Sequence, residues 1–156
     1  MNNEKDCIFC KIVAEDAPAE IIWQDDAHIA FLSIFPNTEG VTVVVSREHL
    51  TSDIANLSNE DYQAIMNATK TVANLLTDAF NDVARTGIVA EGFGVDHAHT
   101  KLFPMHGTAP MDEWREHPSQ IDTYFEEYPG YLSSHDSKQV GRDELARVAE
   151  KIRQAR

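Results

Sequence analysis

Five side chains in this sequence have the type and spacing to do chemistry. Cys7 and Cys10 are its only cysteines and are separated by two residues, a gap that suits a metal better than a long-range disulfide framework. A redox dithiol is the competing arrangement. It would open a helix after a strand within a parallel βαβ pattern, whereas here the pair precedes every other element. His97, His99 and Lys101 alternate in a stretch, Val95 to Phe103, that reads as a strand. They therefore share one face, and Asp96, Ala98 and Thr100 share the other. Two histidines on one strand face, in a chain that also offers a cysteine pair, suit a metal or phosphate site. His28, His106, His117 and His135 read instead as surface or satisfied core residues.

A sheet backed by a helix must position these groups. Lys11 to Ala14 reads as a short helix after the cysteines, broken across Asp16 to Glu20 by Pro18. Ile21 to Trp23 and His28 to Ile34 form an expected hairpin about a turn at Asp25 and Asp26, and the run Val41 to Val45 reads as a buried strand. Ser58-Asn59-Glu60-Asp61 resembles a capping box. Beyond it Ile65, Met66, Val72, Leu75, Leu76, Ala79, Phe80 and Val83 recur near helical spacing, which predicts a long helix with one face on the sheet. Ile88 to Ala90 reads as a strand, Glu91 to Gly94 as a turn, and the stretch from Arg142 as a charged amphipathic helix. Between lies an aromatic segment holding Trp114, Tyr124, Phe125, Tyr128 and Tyr131. Strands, helix, then strands favour an antiparallel α+β sheet over a wound parallel one.

Composition narrows the partners. With 156 residues, 42% apolar and 25% charged, the chain is of single-domain size and globular composition. No stretch approaches the run of about 20 apolar residues that spans a bilayer. The polar segment Met1 to Asp6 does not resemble an export signal, so a cytoplasmic location is expected. Thirteen Lys plus Arg against 26 Asp plus Glu give a net charge of −13, which opposes long contact with a nucleic-acid polymer. A small anion is still compatible, because a local cation and backbone N–H groups override the mean field.

Several ordered segments resemble the histidine-triad (HIT) family: Cys7-Ile-Phe-Cys-Lys-Ile12, Ala30-Phe-Leu-Ser-Ile-Phe-Pro36, Val43-Val-Val-Ser-Arg-Glu-His49, and His97-Ala-His-Thr-Lys-Leu-Phe103 followed by Pro104. The resemblance implies an α+β fold with an antiparallel sheet of about five strands, one long helix and shorter helices. It covers a domain over 1–110, leaving 111–156 as an extension packed on or beside it. Family members usually pair into homodimers through the long helix and a sheet edge. Members that keep the cysteine pair use it for zinc, which by resemblance puts Cys7, Cys10, His49 and His97 around a structural ion. Two thiolates and two imidazoles would complete a closed tetrahedral site with no position for water. The family's nucleophile falls on His99, whose other ring nitrogen is expected to donate to a backbone carbonyl, that of His97. The implied partner is a nucleotide or nucleoside phosphate, attacked to form a covalent nucleotidyl-histidine in hydrolysis or transfer of the phosphoramidate or dinucleoside-polyphosphate class. Phe31, Ser33, Ile34 and His97 fall on nucleotide-binding positions.

Departures from the pattern gather around the phosphate. Lys101 takes the third triad position, where related nucleotidyltransferases carry Gln, and Val41 follows the loop glycine Gly40 where a His is common. Lys101 offers phosphate a strong point charge but, as an ammonium rather than an imidazole, is a poor proton shuttle at neutral pH. Ser33 keeps one hydroxyl where an acidic or amide residue binds ribose in much of the family. An alternative expectation follows: a zinc-stabilised nucleotide-binding or regulatory protein with little or no turnover.

Overall fold

Val43 and Val44 cannot both face one layer, and this chain covers both sides of the strand that holds them. In the computed structural model, which describes residues 6–117, 126–130 and 139–155, the elements are α1 (Ile8–Val13), β1 (Ile21–Gln24), β2 (His28–Leu32), β3 (Thr42–Ser46), α2 (Asn59–Ala79), β4 (Thr86–Val89), β5 (His99–Pro104) and α3 (Arg142–Arg153). The strands form one five-stranded sheet ordered β1-β2-β3-β5-β4, antiparallel throughout. All residues of β2 and β3 are buried, as expected for strands roofed on both faces.

The register fixes which side chains share a face. Phe31 stands opposite Val43, which stands opposite Lys101, which stands opposite Val89; Val45 stands opposite His99. Because neighbours along a strand alternate, Phe31, Val43, Val45, His99 and Lys101 lie on one face. There Phe31, Val43 and Val45 pack with Cys7 and Phe9 from the α1 region. The opposite face carries Ala30, Leu32, Val44 and Leu102, packed against Val72 and Leu76 of α2 and Leu145, Val148 and Ile152 of α3. Thr100 also points that way, its hydroxyl 2.8 Å from that of Thr69 on α2.

Ser58 caps α2, its hydroxyl accepting from the Asp61 N–H, with Glu60 and Asp61 near the positive end of the helix dipole. The helix stops at Ala79, one residue short of Phe80 and four short of Val83, both of which are buried all the same. Their apparent helical spacing thus arises from core contacts made after the chain has turned. In α3, the ion pairs of Arg147 with Glu144 and of Arg153 with Glu150 are exposed, where water and salt screen them and leave little net stabilisation. Burial of Leu145, Val148 and Ile152 stabilises by about 1.5–3 kcal/mol per side chain. The apolar stripe therefore decides where α3 lies.

One expected strand begins late. The segment from Val95 does not join the sheet until His99. The His97 N–H turns back to the Val95 carbonyl at 2.9 Å, and Ala98 pairs outside the regular ladder, accepting from the Ser46 N–H and donating to the Leu50 carbonyl. His97 is thus a residue of the turn preceding β5, and its alternation with His99 does not extend a strand.

Tyr124, Phe125, Tyr131 and His135 lie outside the described residues. Among the described residues no helix is long and apolar enough to cross a membrane.

Candidate active site and metal-ligating cluster

Cys7 is the N-cap of α1 and Cys10 lies in its first turn, so both thiols project from the same helix end. Loop residue His49, just beyond β3, and turn residue His97 meet them there. One ligand atom from each of Cys7, Cys10, His49 and His97 lies within 4.8 Å of the others. The Sγ of Cys7 and the Sγ of Cys10 are each 3.5 Å from His97 Nδ1, and Cys10 Sγ is 3.1 Å from His49 Nδ1. Zinc–sulfur bonds of about 2.3 Å and zinc–nitrogen bonds of about 2.0–2.1 Å in a tetrahedron imply S···N edges of about 3.5 Å. The donor set therefore fits a metal ion of this kind.

The second nitrogen of His97 shows which tautomer the fold selects. Nε2 lies 2.7 Å from the Ser46 carbonyl, and a carbonyl only accepts, so Nε2 carries the hydrogen. The lone pair of Nδ1 is then directed at the thiols, in the arrangement that orients metal-binding imidazoles. Full burial holds the His97 pKa below its ordinary value, and the Ser46 bond offsets part of that shift.

His99 uses the opposite nitrogen. Its Nδ1 lies 2.7 Å from the His97 carbonyl and therefore donates, which leaves the Nε2 lone pair for chemistry. The ring is 2% exposed and meets the edge of Phe9 at 5.4 Å between centroids. Phe9 stands between the two cysteines in sequence and also packs on His97 at 5.8 Å, so one ring ties the cluster to His99. Burial, followed by the Lys101 cation, keeps the His99 pKa below its ordinary value, opposed by the bond to His97. Neutral His99 is the form that can attack an electrophile.

Lys101 stands one pleat further along the same face. Its ammonium is 3.7 Å from Glu91 Oε1, and the Glu91 side chain is 6% exposed. The turn after β4 is held by Gly92 at φ +74°, where an added Cβ would lie 2.7 Å from the Ser52 carbonyl oxygen. Asp96 accepts from both the N–H and the hydroxyl of Ser52, bonds that hold its carboxyl below the usual range.

The remaining sequence candidates are more dispersed. Phe31 is buried edge-on against Phe9. Ser33 follows β2 and its hydroxyl accepts from the Phe35 N–H, while Ile34 is exposed. Ser33 and Val41 line a cleft of about 280 Å³ against Leu145 and Val148 of α3, and neither His99 nor Lys101 is among its walls. His28 and His106 are held structurally, by Asp25 and by Asp82 respectively, and His117 is exposed. Sequence reasoning passed over Ser46, Phe9 and Glu91. Only Ser46 carried a local signal, as the polar residue closing an apolar strand.

A HIT domain model matches residues 14–108, more than half of the chain. The chain belongs to the HIT family. It is 33% identical over 99 residues to an adenosine 5'-monophosphoramidase of Schizosaccharomyces pombe, covering 63% of this chain and 73% of that protein. Among solved structures, a HIT-like protein of Bartonella henselae superposes with a TM-score of 0.72 at 19% identity, covering all of both chains. A zinc-bound histidine triad family protein of Mycobacterium smegmatis gives 0.62 at 22% identity, over 98% of this chain and 94% of that one. At these identities the two structures establish the HIT fold of the chain.

Proposed function

We propose that this HIT protein is an enzyme that hydrolyses or transfers at a nucleoside phosphate, with His99 as nucleophile and Lys101 beside the transferred group. The observation that carries the proposal is the 2.7 Å bond from His99 Nδ1 to the His97 carbonyl, which leaves Nε2 unprotonated on the face shared with Lys101. Nε2 attacks phosphorus, and the new N–P bond forms as the bond to the leaving group breaks. The leaving group keeps that electron pair and takes a proton from solvent water. Water then attacks phosphorus, the N–P bond breaks with its pair returning to Nε2, and a nucleoside monophosphate departs; an alcohol or phosphate in place of water gives transfer. Lys101 offsets charge on the phosphoryl oxygens. Phe31, Ser33, Ile34 and His97 are assigned to nucleotide binding on the strength of the family pattern. The phosphoramidase activity named for the Schizosaccharomyces pombe relative supports the substrate class.

Cys7, Cys10, His49 and His97 are assigned to a structural zinc ion, which would cross-link α1, the loop after β3 and the turn before β5. The donor spacing and the zinc in the Mycobacterium smegmatis neighbour support that choice. Residues 1–110 are taken as the HIT domain and 111–156 as an extension beside it, with α3 sharing its core. A homodimer is supported by β4, an edge strand with Ile88 46% exposed. A cytoplasmic location suits Cys7 and Cys10, which form no disulfide.

Intact-mass measurement after mixing with adenosine 5'-phosphoramidate, or with a dinucleoside polyphosphate, tests the mechanism. A nucleotidyl adduct is expected on the parent protein and none on His99→Ala. A second reading, nucleotide binding without turnover, draws on the Glu91 ion pair that holds Lys101 and on Val41 in place of His; binding with no adduct on any substrate would favour it.

A further inference from the structure

Glu91 has no part in the chemistry above, yet it is among the most enclosed carboxylates of the described residues. It begins the turn between β4 and His97. Its Oε1 is buried with no hydrogen-bond partner and lies 3.7 Å from Lys101 Nζ, while Oε2 accepts from the Tyr128 hydroxyl. Tyr128 belongs to segment 126–130, and its ring stacks on Phe93 of the same turn at 5.7 Å. A desolvated carboxylate is retained only where a cation and hydrogen bonds offset its lost hydration; here the cation is Lys101, two residues from His99. Without a counter-ion, a lysine ammonium on a flexible four-carbon stem loses its fixed direction yet puts its full charge on any anion it meets, product included.

We propose that Glu91 is a positioning residue acting through Lys101, holding the ammonium on the His99 face while moderating its charge so that the site favours phosphoryl transfer over retention of the nucleotide product. The proposal rests on the nucleophile reading of His99.

Glu91→Gln tests it, because the amide keeps the shape and an acceptor for Tyr128 but removes the charge. Adenosine monophosphate, used as the probe in calorimetry, should bind about three- to tenfold more tightly, since a negative charge near the anion is gone. The single-turnover rate of adduct formation from adenosine 5'-phosphoramidate should fall about tenfold or more. Acetic anhydride labelling of Lys101, mapped by peptide mass, should accelerate. Glu91→Asp should restore most of the parent behaviour, and adding Glu91→Gln to Lys101→Met should cost no further rate.

A merely structural Glu91 would instead lower affinity, rate and thermal stability together, which overturns the proposal. Additive losses in the double variant overturn it too, as do unchanged labelling and affinity in Glu91→Gln. No adduct on the parent protein would overturn the nucleophile reading instead; labelling and product affinity still decide whether Glu91 governs the Lys101 charge.

Discussion

His97 and His99 are two residues apart, both buried, and bonded to backbone carbonyls at the same 2.7 Å distance, yet they present opposite nitrogens to their surroundings. His97 donates from Nε2 and directs Nδ1 toward two thiols; His99 donates from Nδ1 and keeps Nε2 bare. The side chains are identical, so the difference is made by where the carbonyl lies. For His97 it belongs to Ser46, the last residue of a neighbouring strand. For His99 it belongs to His97 itself, in the turn that delays β5. One residue type thus offers its lone pair at Nδ1 in one place and at Nε2 in the other, by changing only which nitrogen is occupied.

The sharpest way to break this comparison is His99→Ala. If the two histidines have separate roles, turnover and adduct formation should fall by about a thousandfold or more, roughly 4 kcal/mol or above in barrier. Metal content, by atomic absorption, should stay at the parent level. Equal loss of metal in this variant would merge the two roles.

Cys7→Ala probes the other half. It should release the bound metal and lower the free energy of unfolding by at least about 3 kcal/mol, because metal binding by a structural site is itself folding free energy. Denaturant titration with and without a chelator measures this, and a parent protein indifferent to the chelator would remove the metal from the His97 account.

Lys101→Ala should have a smaller effect, lowering the rate about a hundredfold, at the low end of what the loss of one charge-stabilising group costs, with metal content unchanged. The smallest expected effect is a control away from both histidines. Ser58→Ala removes the cap of α2 and should cost about 1 kcal/mol of stability, read as a lower melting temperature with the per-molecule rate at 25 °C unaltered.

Much of this architecture was legible in the residue order, for definite reasons. The hairpin of β1 and β2, the buried strand through Val43 to Val45, and the Ser58 cap depend on local patterning, which sequence carries directly. The stop of α2 at Ala79 was not legible, because Phe80 and Val83 are buried by packing after the turn and so imitate helical periodicity. Nor was the late start of β5. Alternation of His97, His99 and Lys101 reads equally as strand or as turn plus strand, and the choice is made by bonds from Ala98 to Ser46 and Leu50, about fifty residues away in sequence. The four-residue cluster came from the family pattern, since nothing local joins His49 to Cys10. The pairing of Glu91 with Lys101 and Tyr128 had no sequence signal at all: it exists only where two strand ends and a distant segment meet in space.

The placement of α3 bears on how the molecule comes into being. Its apolar stripe roofs the sheet, and Arg153 donates to the carbonyl of Ile21, the first residue of β1, across 132 positions of chain. At ribosomal speeds of about 5–20 residues per second, β1 leaves the peptidyl-transferase centre on the order of ten seconds before the helix that covers it. Through that interval α2 covers its share of the face while the part beside β1 that α3 roofs stays bare, and the growing chain offers that apolar strip to chaperones and to neighbouring nascent chains.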